Sequence, residues 1–254
     1  MNILKEYFSY KLKAKGRHGV HSPFVYDFID KCITSNIPKK VSADFSKFRN
    51  LLKKDKRDIQ VKDLGAGSQK LSEIRKINEI AKVSGSGKKY GKLLYRLSNF
   101  YQPKNILEFG TSLGLGSFML AKGNSKSNLD TVEACPQTLN VAKNYLSKFE
   151  IKNINFHESS FTSFIKQNNT IYDLIFIDGD HRSEKLKEQL ELLSNQIHDE
   201  TIIILDDIRW SDDMLKCWKE IINNNNFHLT IDLFRMGIIM KRSHQQKEHF
   251  VVNY

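Results

Sequence analysis

At 254 residues, with 40% hydrophobic and 27% charged residues and only 13 Gly and 4 Pro, the chain is too apolar and too varied for a disordered, collagen-like or low-complexity protein. Cys32, Cys135 and Cys217 lie too far apart for a disulfide framework or a paired zinc site, no run of about 18 apolar residues exists, and Lys5 and Glu6 stand where a secretory apolar segment would lie, so a cytoplasmic protein without a membrane span is expected. The formal net charge of +11 is concentrated at the front: residues 1–105 carry 24 Lys and Arg against 9 Asp and Glu, and residues 106–254 carry 16 against 20.

Up to about residue 100 the pattern is helical. Ser22 and Pro23 offer an N-cap and a first helical position ahead of Phe24, Phe28, Ile29 and Cys32, which recur at amphipathic spacing. Ile74, Ile77, Ile80 and Ala81 predict a second helix, and Leu93, Leu94, Leu97 and Phe100 a third. Between them lie basic stretches (Lys53, Lys54, Lys56, Arg57) and the run VKDLGAGS at 61–68. Asp58, Lys62 and Asp63 interrupt any strand there, so the run reads as a turn into the helix at Ile74. The turn-rich residues 83–91 suit a loop over a substrate. The excess positive charge reads first as solvated lysine-rich helix faces and second as an attractor for nucleic acid or another anionic partner.

From residue 105 short β-rich runs at 105–109, 129–133, 154–157, 172–177 and 201–205 alternate with helical stretches. That alternation predicts βαβ units and a parallel sheet covered on both faces. A helix at 212–222 follows, then β-rich runs at 227–233 and 236–240 with only Phe234 and Arg235 between them. The gap is too short for a crossover helix, so an antiparallel hairpin should close the sheet.

The run at 105–109 enters Gly110-Thr-Ser-Leu-Gly114-Leu-Gly116 and then an amphipathic helix, the strand, glycine loop and helix of a nucleotide pocket. Glu108 precedes the first glycine by two residues, and Glu133 ends the next strand. An acid beside the loop repels a pyrophosphate but suits a cationic ligand, while Glu133 can accept hydrogen bonds from both hydroxyls of a ribose. S-adenosylmethionine, which has no phosphate and carries a sulfonium and an ammonium, therefore fits better than NAD. A short-chain dehydrogenase would need a Tyr-x-x-x-Lys pair downstream; Tyr7 and Lys11, the only such pair, lie upstream.

ILEFGTSLGLG, VEACP, FIDGDH and ILDD, in that order at successive strand ends, resemble the motifs of class I S-adenosylmethionine-dependent methyltransferases, particularly the branch with catechol and caffeoyl-coenzyme A O-methyltransferases. The resemblance covers roughly residues 100–242. It implies an α/β fold with a Rossmann-like, seven-stranded, mostly parallel sheet ending in an antiparallel hairpin. The expected division is a basic helical extension at 1–100 on the substrate side, a cofactor-binding domain at 101–242 and a tail at 243–254, free or added as a strand to a partner. By the same match Glu108, Gly110 and Gly114 would line the methionine end, Glu133 would hold the ribose, Ser159 and Ser160 would face the adenine, and Thr111 and Asp178 would also contact the cofactor. Gly116 also reads as close helix packing, and Ser160 as an N-cap.

Two further strand ends carry Asp178-Gly-Asp180-His181-Arg182 and Asp206-Asp207-Ile-Arg209-Trp210. In relatives of that branch the positions matching Asp178, Asp206 and Asp207 bind a divalent cation such as Mg²⁺, the last commonly being Asn. Such an ion would acidify an acceptor hydroxyl. The alternative is that Asp178 hydrogen-bonds the cofactor ammonium without any metal. His181 stands where the relatives have a lysine base, and imidazole removes a proton near neutrality with less tuning. Arg182, Arg209 and Trp210, with His18, His21, Phe24 and Tyr26, are candidates for meeting an anionic or planar acceptor or for ordinary packing. The expectation is O-methylation of a small or lipid-like acceptor. An RNA methyltransferase and a non-catalytic binding module are the alternatives, and nucleic acid is not favoured because no recognised RNA-binding module is present.

Overall fold

In the computed structural model, residues 2–61, 73–83 and 87–254 are described. The run at 62–68 and the centre of the turn-rich segment, 84–86, lie outside them. The front of the chain forms α1 (Ile3–Lys13), α2 (Pro23–Asp27), which widens into a π turn at Phe28–Ile33, and α3 (Lys39–Lys54). A small antiparallel pair follows, β1 (Asp58–Val61) and β2 (Glu73–Lys76), then α4 (Ile77–Val83) and α5 (Lys88–Tyr101). Two of these helices, α1 and α3, were not among the sequence expectations. Helix α3 is held through Phe45, Phe48 and Leu52, three to four residues apart and all buried, with Phe45 stacked on Phe118 and Phe48 packed against Tyr145 and Phe149. Burial of each such side chain contributes roughly 1.5–3 kcal/mol.

Ile74 is not helical: it pairs with Gln60 in the β1–β2 ladder and is 72% exposed. The helix starts at Ile77 because its first free N–H groups find acceptors outside it, Ile77 N donating to Arg57 O at 3.1 Å and Asn78 N to Asp55 O at 2.8 Å.

The rest of the chain builds one large sheet. Its elements are β3 (Asn105–Phe109), α6 (Leu115–Gly123), β4 (Asn128–Glu133), α7 (Pro136–Leu146), β5 (Ile154–Glu158), α8 (Phe161–Gln167), β6 (Tyr172–Ile177), α9 (Ser183–Leu192), β7 (Ile197–Leu205), α10 (Asp212–Asn223), β8 (Leu229–Asp232), β9 (Gly237–Met240) and β10 (Glu248–Val251). The spatial order is β10-β8-β9-β7-β6-β3-β4-β5. All neighbours are parallel except β9, which runs antiparallel to both β7 and β8, so the expected closing hairpin is present.

The sheet has eight strands, not seven, and residues 243–254 are neither a free tail nor a strand on another chain. Strand β10 lies parallel to β8, pairing Phe250 with Ile231, and Val252 is fully buried. Its ladder continues with Val252 N donating to Asp232 O at 3.0 Å. Buried Arg96 of α5 ties the same region to the front segment, donating to Ile33 O, Ser35 O and the Tyr254 hydroxyl.

Side chains alternate across the buried strands as a two-residue period requires. Ile106, Leu174 and Phe176 face the core under α3, α5 and α6, while Leu107, Phe109, Ile175 and Ile177 face the core under α8, α9 and α10. No helix among the described residues is long and apolar enough to cross a membrane.

Candidate active site

The glycine loop is shaped by close backbone approach. Gly110 has φ +95°, and a Cβ there would stand 2.1 Å from the carbonyl oxygen of Asp178, in the neighbouring strand end. Gly114 opens α6 with φ +83°, where a Cβ would meet Leu146. Gly116 has the packing role foreseen for it: a Cβ would collide with Glu108 Oε1 and crowd Phe176.

Glu108 is turned away from the mouth of the loop. It shares the face of β3 that carries Ile106, is 1% exposed, and accepts hydrogen bonds from Ser117 Oγ and, at 2.6 Å, from Thr131 Oγ1. Its Oε1 is buried without a hydrogen-bond partner among the described residues. Burial pushes its carboxyl up to about 7, against the two hydroxyls. It therefore faces the interior beneath the loop and not the loop mouth. Thr111 is also turned inward, its hydroxyl 2.6 Å from that of Thr131, which leaves its backbone for the loop.

Glu133, the acid expected at the end of β4, lies at the mouth of the glycine loop. It ends β4 half-buried, and its carboxylate spans the loop mouth, accepting from Ser112 N and Cys135 N at 2.9 Å each. Ser112 has φ +46°, a left-handed turn that aims its N–H at this acid. Ser159 N donates to Glu133 O at 3.2 Å, so β5 delivers Ser159 and Ser160 to the same rim. Ser160 caps α8, accepting from Ser163 N at 3.2 Å.

Asp178, Asp206, Asp207 and His181 do come together beyond the ends of β6 and β7. Burial, then Asp206 and Asp207, raise the Asp178 carboxyl well above the usual carboxylate range. Asp207 sits in a left-handed turn with φ +51°, and Oδ2 faces His181 Nε2 at 3.7 Å. The imidazole is flanked by the Trp210 ring, 5.6 Å away between centroids. Trp210 itself is 63% exposed.

The feature missed in the sequence is Arg235. Its Nε lies 2.9 Å from Oδ1 of both Asp206 and Asp207, and Nη2 lies 2.8 Å from Asp206 Oδ2. Burial opposes its charge, but Asp206 and Asp207 outweigh that and raise its pKa. A signal was available: β9 pairs Gly237 with Leu205, so the two-residue turn before β9 must lie beside the two aspartates after β7.

The expected metal set, Asp178, Asp206 and Asp207, does not fit a divalent ion. Both oxygens of Asp206 and both of Asp207 already face one guanidinium, and among the described residues no group of three or more His, Cys, Asp or Glu is arranged to hold a metal. Arg209 is likewise engaged, with a two-pronged contact to Asp232 at 2.9 and 2.7 Å and a third bond to Phe234 O. Arg182 pairs with Asp180. Phe24 stacks on Tyr101, a packing role.

Residues 107–208 match the family model described as a methyltransferase domain. No curated protein matches the chain in sequence. Among solved structures, an SAH-bound methyltransferase of Podospora anserina superposes with a TM-score of 0.60 at 14% identity, over 87% of this chain and 97% of that one. An O-methyltransferase of Bacillus cereus in complex with SAH gives 0.55 at 16% identity, over 85% and 96%. The O-methyltransferase TomG of Streptomyces achromogenes, in complex with SAM, gives 0.52 at 16% identity, over 62% and 81%. At these identities the likeness is one of fold. Domain match, sheet topology and loop geometry agree: residues 107–208 are those of a methyltransferase domain, and the chain has the fold of the SAM- and SAH-bound methyltransferases it superposes on.

Proposed function

We propose that the chain methylates an oxygen of a small, planar or lipid-like acceptor, with His181 as the general base. The observation that carries this reading is the shared rim: Glu133 and the loop at Gly110 on one side, and His181 held between Asp207 and Trp210 on the other, all beyond the carboxyl ends of adjacent parallel strands. Bound S-adenosylmethionine supplies a methyl group activated by its sulfonium. Glu133 holds the ribose, Gly110 and Gly114 admit the methionine end, Thr111 braces the loop, Glu108 supports it from beneath, and Ser159 and Ser160 border the adenine. With Nε2 directed at Asp207, Nδ1 of His181 is left to take the acceptor's proton as the new O–C bond forms and the C–S bond breaks. Asp178, facing Asp206, holds the end of β6 against the loop. Trp210 offers a flat apolar wall beside the base.

Residues 1–100 are proposed to close the acceptor side over the cofactor-binding residues 101–242. In support, Tyr7 of α1 packs edge-on against Phe234 at 5.1 Å, and Glu6 lies 4.0 Å from Arg209. The test is calorimetric titration with S-adenosylmethionine. Saturable binding that Glu133→Ala weakens by about tenfold or more supports the ribose assignment, since each lost charge-assisted bond is worth roughly 1.5–3 kcal/mol. Unchanged affinity in the variant, or preference for a dinucleotide, overturns it.

A further inference from the structure

We propose that Arg235 is the resident cation of the acid cluster, standing where a divalent ion would stand and positioning Asp207 against His181. Its role in turnover rests on the methyltransferase reading; its role as an ion substitute does not.

The geometry is that of a built contact. One edge of the guanidinium, Nε and Nη2, serves Asp206 Oδ1 and Oδ2 at 2.9 and 2.8 Å and Asp207 Oδ1 and Oδ2 at 2.9 and 3.5 Å. A planar fork of N–H donors matches a carboxylate in this way, whereas Mg²⁺, Ca²⁺ and Mn²⁺ need the same oxygen lone pairs for coordination. Asp206 has nothing to spare: its side chain is fully buried, and Oδ1 also accepts from Asp207 N at 2.9 Å.

Arg235 is also anchored from its own side. Its carbonyl accepts from Ile208 N and its N–H donates to Leu233 O, both at 3.0 Å, and its guanidinium lies 5.7 Å from the centre of the Tyr90 ring. The hairpin turn and the loop after β7 are thus joined by backbone and side chain together. Asp207 is held from one side by Arg235 and faces His181 on the other. Removing the guanidinium would leave the three carboxylates of Asp178, Asp206 and Asp207 without their counter-charge, and that is the composition a hard cation seeks.

The experiment titrates Mn²⁺ into the cofactor-free full chain, followed by electron paramagnetic resonance, and compares wild type, Arg235→Ala and Arg235→Ala/Asp206→Asn. Wild type is expected to show no Mn²⁺ bound at the cluster, Arg235→Ala to bind it about tenfold or more tightly, and the double variant to lose that gain. Arg235→Gln carries the same comparison should the alanine variant not fold. Mn²⁺ binding by wild type that Asp206→Asn abolishes overturns the proposal, as does a folded Arg235 variant with no gain. In turnover, wild type should be indifferent to EDTA, and Arg235→Lys should recover part of the kcat lost in Arg235→Ala at an unchanged KM for cofactor. Equal losses in the Lys and Ala variants overturn the positioning role. Failure of the methyltransferase reading would appear separately, as absent cofactor binding with the Mn²⁺ pattern intact.

Discussion

The Tyr10 hydroxyl donates to the carbonyl oxygen of Val252 at 2.5 Å, joining α1 to the end of β10, and accepts from Tyr254 N at 3.0 Å. Burial raises this phenol to about 12, so it stays a donor at every ordinary pH. Tyr10→Phe keeps the ring and removes both bonds. Equilibrium denaturation should show a loss of about 1–2 kcal/mol. No change would mean that α1 is held by apolar contact alone.

Glu108 makes stability depend on pH in a definite direction. Its folded carboxyl titrates near 7, above the ordinary value of 4.5, so ionising it within the fold carries a cost that is absent at acid pH and develops as pH rises from about 4.5 through 7. Glu108→Gln is never ionised. Its melting temperature relative to wild type should therefore be higher at pH 8 than at pH 5, by an amount equivalent to a stability difference on the order of 2–3 kcal/mol. A pH-independent difference would show that the carboxyl is not perturbed.

Gly110→Ala places a methyl group against the carbonyl of Asp178 and also forces an L residue to φ +95°. The neighbour is backbone and cannot swing away. The expected loss exceeds about 3 kcal/mol, read as a drop in melting temperature with loss of cofactor binding. A variant that melts like wild type would disprove the close approach of the β3 and β6 ends.

His181→Asn should lower kcat by about 10²–10⁴-fold and leave S-adenosylmethionine affinity within a factor of about two, as removal of a base does. Asp207→Asn should give a smaller fall in kcat, because the imidazole loses the carboxylate that faces it at 3.7 Å. An unaltered kcat in His181→Asn would assign the proton to another group.

The parallel core was readable because strands such as Leu174–Ile177 are apolar on both faces and end in acids, a local pattern. The position of Glu133 at the end of β4 was readable for the same reason. Helix α3 hid its buried Phe45, Phe48 and Leu52 among lysines, and Ile74 kept helical spacing with Ile77 while its backbone was taken by β1. Glu108 was expected beside the loop mouth, whereas strand alternation turns its side chain toward α6. The roles of Arg235 and β10 are fixed by strand register and not by any local pattern. Asp206 lies 29 residues before Arg235, and β8 is separated from β10 along the chain by the whole of β9, so only the strand register brings each pair together.

The docking of β10 has a consequence for how copies of the protein meet one another. Lys15 forms a bridge along the outer side of that strand, donating to Val251 O and accepting from Asn253 N, so the exposed margin there is largely stoppered by the molecule itself. At the opposite margin β5 presents Asn155 and Glu158 to water, with Lys152 just ahead of it. Hydrophilic and charged borders discourage a neighbouring chain from zipping on, so the eight-stranded layer is protected against open-ended polymerisation at both ends.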